Sequence, residues 1–338
     1  MAAVWRGRHA RRNLPVALKV MTGAHTRDPR YRAFFRQEAQ AVAALDHPGI
    51  VRVLDYGETG REAAYGSPQT VLAGSPFLAM ELADGTLRER AAGLGWPQVR
   101  DVLAALLGAL AHAHARGVVH RDLKPSNVLF FAGGRYALAD FGLAYAAGRG
   151  GRDERDAISG TPRYMAPEQV LGEWRDDGPW TDLYALGCVA YELACGRPLF
   201  ADAGTAETAE AHLHREPPPL RPLVAVPAGF EGWIRRLVRK DPRERFQRSA
   251  DALEALRALG DPVGAAAGLP PLDDRPTVGD LQSTTAATHR DRRTHDVLFR
   301  EGPSPVPLAG RRAPPFPASW RDPDGAGAGA APPVSGLG

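Results

Sequence analysis

The sequence predicts an α+β protein in two lobes, a small antiparallel sheet with one helix followed by a larger, mainly helical part. Two observations carry that expectation. Apolar alternation of period two belongs to the first 82 or so residues, and 3.6-residue periodicity runs from Pro97 to Ala258. Composition then changes near Gly260, after which Pro, Gly, Ala, Asp and Arg dominate. The expected boundaries are about 1–82 for the first lobe, about 83–259 for the second, and 260–338 for a Pro/Gly/Ala-rich linker or disordered tail.

Ala3–Arg8 and Pro15–Met21 read as two strands joined by a polar turn, with Val16, Leu18 and Val20 alternating against Ala17 and Lys19. Asp28-Pro29 reads as an N-cap and a helix-opening proline, with the helix running to about Leu45. Two more strands are expected at Ile50–Tyr56 and Phe77–Leu82. Pro97 opens a helix that carries Val99, Val102, Leu103, Leu106, Leu107 and Leu110 on one side and closes at Gly117. Thr181–Cys195 is apolar on nearly all sides, as a buried central helix must be. Helices also fit Phe230–Lys240 and Ala250–Ala258. The segment 309–338 contains Pro314-Pro315, Gly325-Ala326-Gly327 and Pro332-Pro333 and cannot bury enough apolar surface to offset its ordering entropy.

Composition excludes some functions. Apolar residues make up 44% and the net charge is +3, so a full core is expected and a polyanion-sized charge excess is absent. The basic runs Arg6–Arg12 and Arg235–Arg245 contain or adjoin apolar residues and read as solvated faces, so no nucleic acid is expected as partner. Cys188 and Cys195 lie seven apart in one apolar helix, too far to bridge, and read as buried thiols in a reducing compartment. No run of 18 apolar residues and no leader pattern is seen, so the expectation is a cytoplasmic protein with no membrane span. His112 and His114 sit two apart on a helix, point to different faces and do not read as one metal site.

The segment His120-Arg121-Asp122-Leu123-Lys124-Pro125-Ser126-Asn127 places a carboxylate, an ammonium and an amide on one short loop after a helix. Phosphoryl transfer needs a carboxylate to orient and deprotonate a hydroxyl, a cation for charge on the moving group, and an oxygen ligand for magnesium. Asp122, Lys124 and Asn127 can supply these in turn. Thirteen residues past Asn127 comes Asp140-Phe141-Gly142, after the strand-like Arg135–Ala139. Its aspartate is the second expected metal ligand. Gly160-Thr161-Pro162-Arg163-Tyr164-Met165-Ala166-Pro167-Glu168 ends the segment that Asp140 opens.

Together these motifs resemble the eukaryotic-like protein kinase family, in wording close to its bacterial Ser/Thr members, over roughly residues 1–259. The resemblance implies the two-lobed protein kinase fold and ATP-dependent transfer of the γ-phosphate to Ser or Thr hydroxyls of proteins. ATP and Mg2+ are the implied cofactors, with Mn2+ as a substitute. Self-association for trans-autophosphorylation is implied as well. Val16-Ala17-Leu18-Lys19 is similar to the strand whose lysine holds the α- and β-phosphates, and Glu38 stands where the family places that lysine's ion-pair partner. By the same resemblance Met80 is the gatekeeper, Glu81 and Ala83 offer hinge backbone groups to adenine, and Ala17, Leu129 and Val4 enclose the base. Val42, Val53, Phe141 and His120 resemble the stack that aligns the lobes. Asp182 resembles the buried aspartate that anchors the catalytic loop, and Glu168 is expected to pair with Arg245. Lys124 and Thr161 favour Ser/Thr over Tyr as acceptor.

The family's glycine-rich loop, Gly-x-Gly-x-x-Gly-x-Val, would run through Met1-Ala2-Ala3-Val4, so its glycines and the strand before it are absent from the sequence. In-frame codons for them are expected upstream. A chain that truly lacked them would bind ATP poorly and serve as a pseudokinase-like scaffold. A small-molecule phosphotransferase would share the metal aspartate but not the Ala166-Pro167-Glu168 ledge. Ser159 is the expected phosphoacceptor in the loop, with Arg121 receiving the new charge.

Overall fold

Four strands lie side by side in the order β1-β2-β4-β3 in the computed structural model, which describes residues 2–9, 13–22, 29–60, 72–141, 162–200 and 204–262. These are β1 (Ala2–His9), β2 (Leu14–Met21), β3 (Val53–Glu58) and β4 (Pro76–Glu81). All their pairings are antiparallel, and a register shift between Val53 and Asp55 kinks β3 against β4. The helix α1 (Pro29–Ala43) packs on β3 and β4. Its proline opens the helix as expected, while Asp28 lies outside the described residues.

The alternation of β2 sorts its side chains between two faces. Leu18 and Val20 pack with Trp5 and Phe77 in a small cluster on one face. Ala17, Lys19 and Met21 take the other, where Met21 joins the main core beneath α1. Lys19 is therefore on the inner face by register, and it is buried there at 8% exposure.

The second lobe begins with a three-stranded sheet, β5 (Gly85–Thr86), β6 (Val128–Phe131) and β7 (Arg135–Leu138), in the order β5-β6-β7. Around it stand α2 (Leu87–Arg90), α3 (Trp96–His114), α4 (Pro167–Val170), α5 (Pro179–Cys195), α6 (Thr205–His214), α7 (Phe230–Leu237) and α8 (Ser249–Ala258). One main core runs through both lobes and is stitched by backbone. Val51 N–H donates to Leu138 O at 2.9 Å and Leu138 N–H to Gly49 O at 2.8 Å. Arg135 adds side-chain bonds to Pro48 O at 3.0 Å and to Glu81 at 2.6 Å.

The helix α5 is buried at nearly every position, as its all-round apolarity requires. Its Gly187 allows α7 to approach, because a Cβ there would lie 2.8 Å from Leu237 Cβ and 2.6 Å from Val238 Cγ1. Both cysteines are buried free thiols on α5. Among the described residues no helix is long and apolar enough to cross a membrane. Beyond α8 the packed chain continues two residues past Leu259. Trp96 Nε1 donates to Gly260 O at 3.1 Å, and Arg100 pairs with Asp261 at 2.8 Å.

The helical lobe is pinned by one buried ion pair. Arg245 is 1% exposed and donates through both terminal nitrogens to Glu168, at 2.8 and 2.9 Å. Its other N–H groups reach Trp180 O, Lys240 O and Arg239 O at 3.1, 3.0 and 2.7 Å, so all five guanidinium donors are used. Thr181 Oγ1 donates to the same Glu168 at 2.9 Å. Removing one partner strands a buried charge. Arg245→Met should cost about 3–5 kcal/mol, read as a lower urea midpoint, and adding Glu168→Gln should recover part of that loss.

Candidate active site

The loop 120–127 leaves α3 and passes over the N-terminal turn of α5. A proline-started 3-10 turn, Pro125–Asn127, then feeds it into β6. Asp182 on α5 holds its first part. Its carboxylate accepts His120 N–H at 2.8 Å, Arg121 N–H at 2.7 Å and His114 Nε2 at 2.7 Å. Burial opposes ionisation of Asp182, but the His114 hydrogen bond and charge, with help from His120, keep its carboxyl below the usual range.

Asp122 is the centre of a tight cluster. Lys124 Nζ lies 2.8 Å and 3.0 Å from its two carboxylate oxygens. Asn127 Nδ2 donates to Asp122 Oδ2 at 3.0 Å and to Asp122 O at 2.8 Å. With Nδ2 committed, Asn127 keeps its amide oxygen for a metal. The Asp122 and Lys124 side chains stay 42% and 37% exposed, so an incoming group can reach them.

The inner face of the small sheet supplies the rest. Val4 pairs with Lys19 across β1 and β2, and Ala17 with Met80 across β2 and β4. Directly paired residues share a face, so Val4, Ala17, Lys19 and Met80 line one surface. Met80 is buried and Val4 is 47% exposed. Leu129 on β6 is partly buried against the core. Glu81 N–H donates to Arg52 O at 3.1 Å, and the Glu81 carboxylate takes Arg135 and Arg52 N–H, so this side chain is structural. Ala83 follows in the short link to β5.

Lys19 Nζ lies 2.8 Å from Asp140 Oδ1. The structure thus joins Lys19 to the expected metal aspartate. Glu38 sits on α1, but its side chain lies outside the described residues, as do Gly142, Ser159 and Thr161. Asp140 has φ 60, in the left-handed region that non-glycine residues avoid. Phe141, next to it, packs at 4.6 Å on the ring of His120, whose Nε2 contacts Ala139 O at 2.9 Å. Val42 and Val53 are buried in the same core as Phe141.

Asp140 and Asn127 offer hard oxygen donors with one carboxylate between them. That suits Mg2+, which takes one or two carboxylates and completes its shell with phosphate oxygens and water. Among the described residues no cluster of three or more His, Cys, Asp or Glu forms an all-protein metal cage. His112 packs against His47 with ring centroids 5.1 Å apart and planes tilted by 40°, while His114 turns to Asp182, so the two do act on different faces.

Sequence reasoning did not single out three contributors. His114 supports Asp182 from the end of α3. Gln169 Nε2 holds Arg121 O at 2.9 Å. Asp177 Oδ2 accepts Arg121 Nε at 3.0 Å. Each belongs to a segment without a motif of its own, and only the folded contact reveals it.

The protein kinase domain family matches residues 1–256. The serine/threonine-protein kinase PknA of Mycobacterium tuberculosis is 36% identical over 265 residues, covering 76% of this chain and 59% of that protein. PknB of the same species is 34% identical over 258 residues, covering 74% of this chain and 40% of that protein. The chain therefore spans about two fifths to three fifths of the length of these relatives.

Asp182 gives a pH prediction. Its folded carboxyl titrates below the unfolded value of 3.8, so the unfolded chain binds the extra proton and the stability it contributes is lost as pH falls below about 4. Asp182→Asn should lower the urea midpoint at neutral pH and flatten the loss seen on acidification.

Proposed function

Because the chain belongs to the protein kinase domain family, among bacterial Ser/Thr kinases, we propose that it transfers the γ-phosphate of ATP to serine or threonine hydroxyls of proteins. The observation that carries this is the loop on which Lys124 and Asn127 both grip Asp122, within 3.0 Å.

Each residue has a role in the proposal. Asp122 accepts the hydrogen bond of the substrate hydroxyl, orients its oxygen at the γ-phosphorus and takes its proton as the new P–O bond forms. The bond to the leaving ADP oxygen breaks in line. Lys124, already beside Asp122, offsets charge on the moving phosphoryl. Asn127 and Asp140 would hold the Mg2+, with Mn2+ as a substitute, and the bound ion would supply positive charge against the phosphates. Lys19 exchanges its contact with Asp140 for the α- and β-phosphates and for Glu38. The adenine lies between Ala17 and Leu129 with Val4 over it and Met80 at its back, bonded by Glu81 and Ala83 backbone groups.

The catalytic domain expected at 1–259 is proposed to extend through the held residues Gly260 and Asp261, and the rest of the expected 260–338 tail to be a linker or tail outside it. Protein substrates with Ser or Thr acceptors, trans-autophosphorylation and a cytoplasmic site of action complete the proposal. A scaffold that binds partners without transfer is the alternative reading.

The test is transfer from Mg-ATP to a generic basic protein and to the chain itself. Asp122→Asn should reduce the rate by about 10²–10⁴-fold while ATP still binds. Lys19→Met should also abolish measurable transfer. Binding of ATP with no transfer by the unmodified chain would favour the scaffold.

A further inference from the structure

Arg121 occupies an awkward place. Its backbone has φ 64, in the left-handed region, although it is not glycine. Something must hold it there. Asp182 takes its N–H and Gln169 takes its carbonyl, which fixes the peptide planes on both sides. The guanidinium is held by Asp177, Nε to Oδ2 at 3.0 Å.

Asp177 is unusual as a partner. Its side chain has no exposed surface, whereas Arg121 keeps 28%. Its second carboxylate oxygen, Oδ1, is buried without a donor among the described residues. A buried carboxylate with one hydrogen bond is a costly arrangement that a neutral amide would relieve. It lies five residues before Asp182, so the entry to α5 sends two carboxylates to the same loop. One grips backbone and the other grips the side chain.

We propose that Asp177 is a positioning residue for phosphoryl transfer, a built-in anion that holds Arg121 and through it the backbone presenting Asp122. The inference rests on the kinase reading above. It also bears on the phosphate expected at Ser159. That phosphate would arrive at a guanidinium already paired, so the loop has its counter-charge without modification.

Protonation gives the idea a signature. Burial pushes the Asp177 carboxyl up to about 6; Arg121 from the loop pulls it down, while Glu168 from α4 and Asp182 from α5 push it up. Above about pH 6 the pair is charged, and below it the anion is lost. Stability moves the other way. The folded chain holds the proton more tightly than the unfolded one, so between about pH 4 and 6 this group's contribution to stability falls as pH rises. A purely structural aspartate would not raise activity while lowering stability.

The experiment compares the full chain, Asp177→Asn, Arg121→Gln and the double variant, each before and after phosphatase treatment. Rates and urea midpoints are measured from about pH 5 to 8. Asp177→Asn should lower kcat about tenfold at neutral pH, leave KM for ATP within about twofold, and lose the rise in rate near pH 6. Its urea midpoint should match or exceed that of the unmodified chain. The double variant should be no slower than Arg121→Gln alone, and phosphatase should leave the unmodified chain's rate in place. Asp177→Ser is read in the same way if Asp177→Asn does not fold. Unchanged kcat, additive losses, or a drop in midpoint that parallels the drop in rate would each overturn the proposal. Absence of transfer by the unmodified chain would instead fail the kinase reading. Additivity of the two substitutions in the urea midpoints would then still sink the pair.

Discussion

The working geometry of this protein depends on one buried carboxylate. Asp182 has no exposed side-chain surface and accepts hydrogen bonds from the backbone of His120 and Arg121 and from the ring of His114. It rides on α5, which is enclosed on nearly all sides and cannot shift without disturbing the core. The loop that carries Asp122, Lys124 and Asn127 is thereby referenced to the most rigid part of the molecule. From His120 the order passes on through its ring to Phe141, and so to the turn that sets Asp140 against Lys19. A chain of short contacts thus links the buried helix to both halves of the cleft.

The charges beneath that loop are arranged as paired opposites. Glu168 and Arg245 satisfy each other almost completely, with Arg245 using every N–H it has. Buried polar networks stabilise a fold only when their members are satisfied. Asp177 breaks that rule at one oxygen. Among the described residues Gln98, His112, Tyr136 and His212 carry such exceptions too, and the one at Asp177 differs in being a carboxylate that grips the loop just ahead of Asp122.

The motifs proposed to be catalytic were legible because phosphoryl transfer dictates residue type and spacing together. Asp122, Lys124, Asn127 and Asp140 stand out in the sequence as a phosphoryl-transfer set, and Lys19 through the resemblance of Val16-Ala17-Leu18-Lys19 to a known strand. The strongly periodic helices α3 and α5 were equally plain, within two residues at each start. Less was visible where local signals are weak. The helix α6 is built from Thr, Ala, Glu and His with little apolar rhythm, and it is completed from outside. Lys240 caps its last carbonyls at 2.8 and 3.1 Å, and burial pushes that ammonium down to about 8. Ile50 was expected inside β3 and instead makes an isolated parallel bridge with Leu138, because the chain there turns to join the lobes. Asp177 was unreadable for a different reason. It stands beside Asp176 in a loop, and nothing local distinguishes the aspartate that turns inward from the one that stays in water.

The clasp of Trp96 and Arg100 on Gly260 and Asp261 ties the segment after α8 to the helical lobe. Those two side chains belong to the first turns of α3, and the last turn of the same helix carries His114. A helix of 19 residues is a rod about 28 Å long. The clasp on Gly260 and Asp261 and the anchor of the 120–127 loop are therefore the two ends of one rigid rod, so strain at either end has a direct mechanical route to the other.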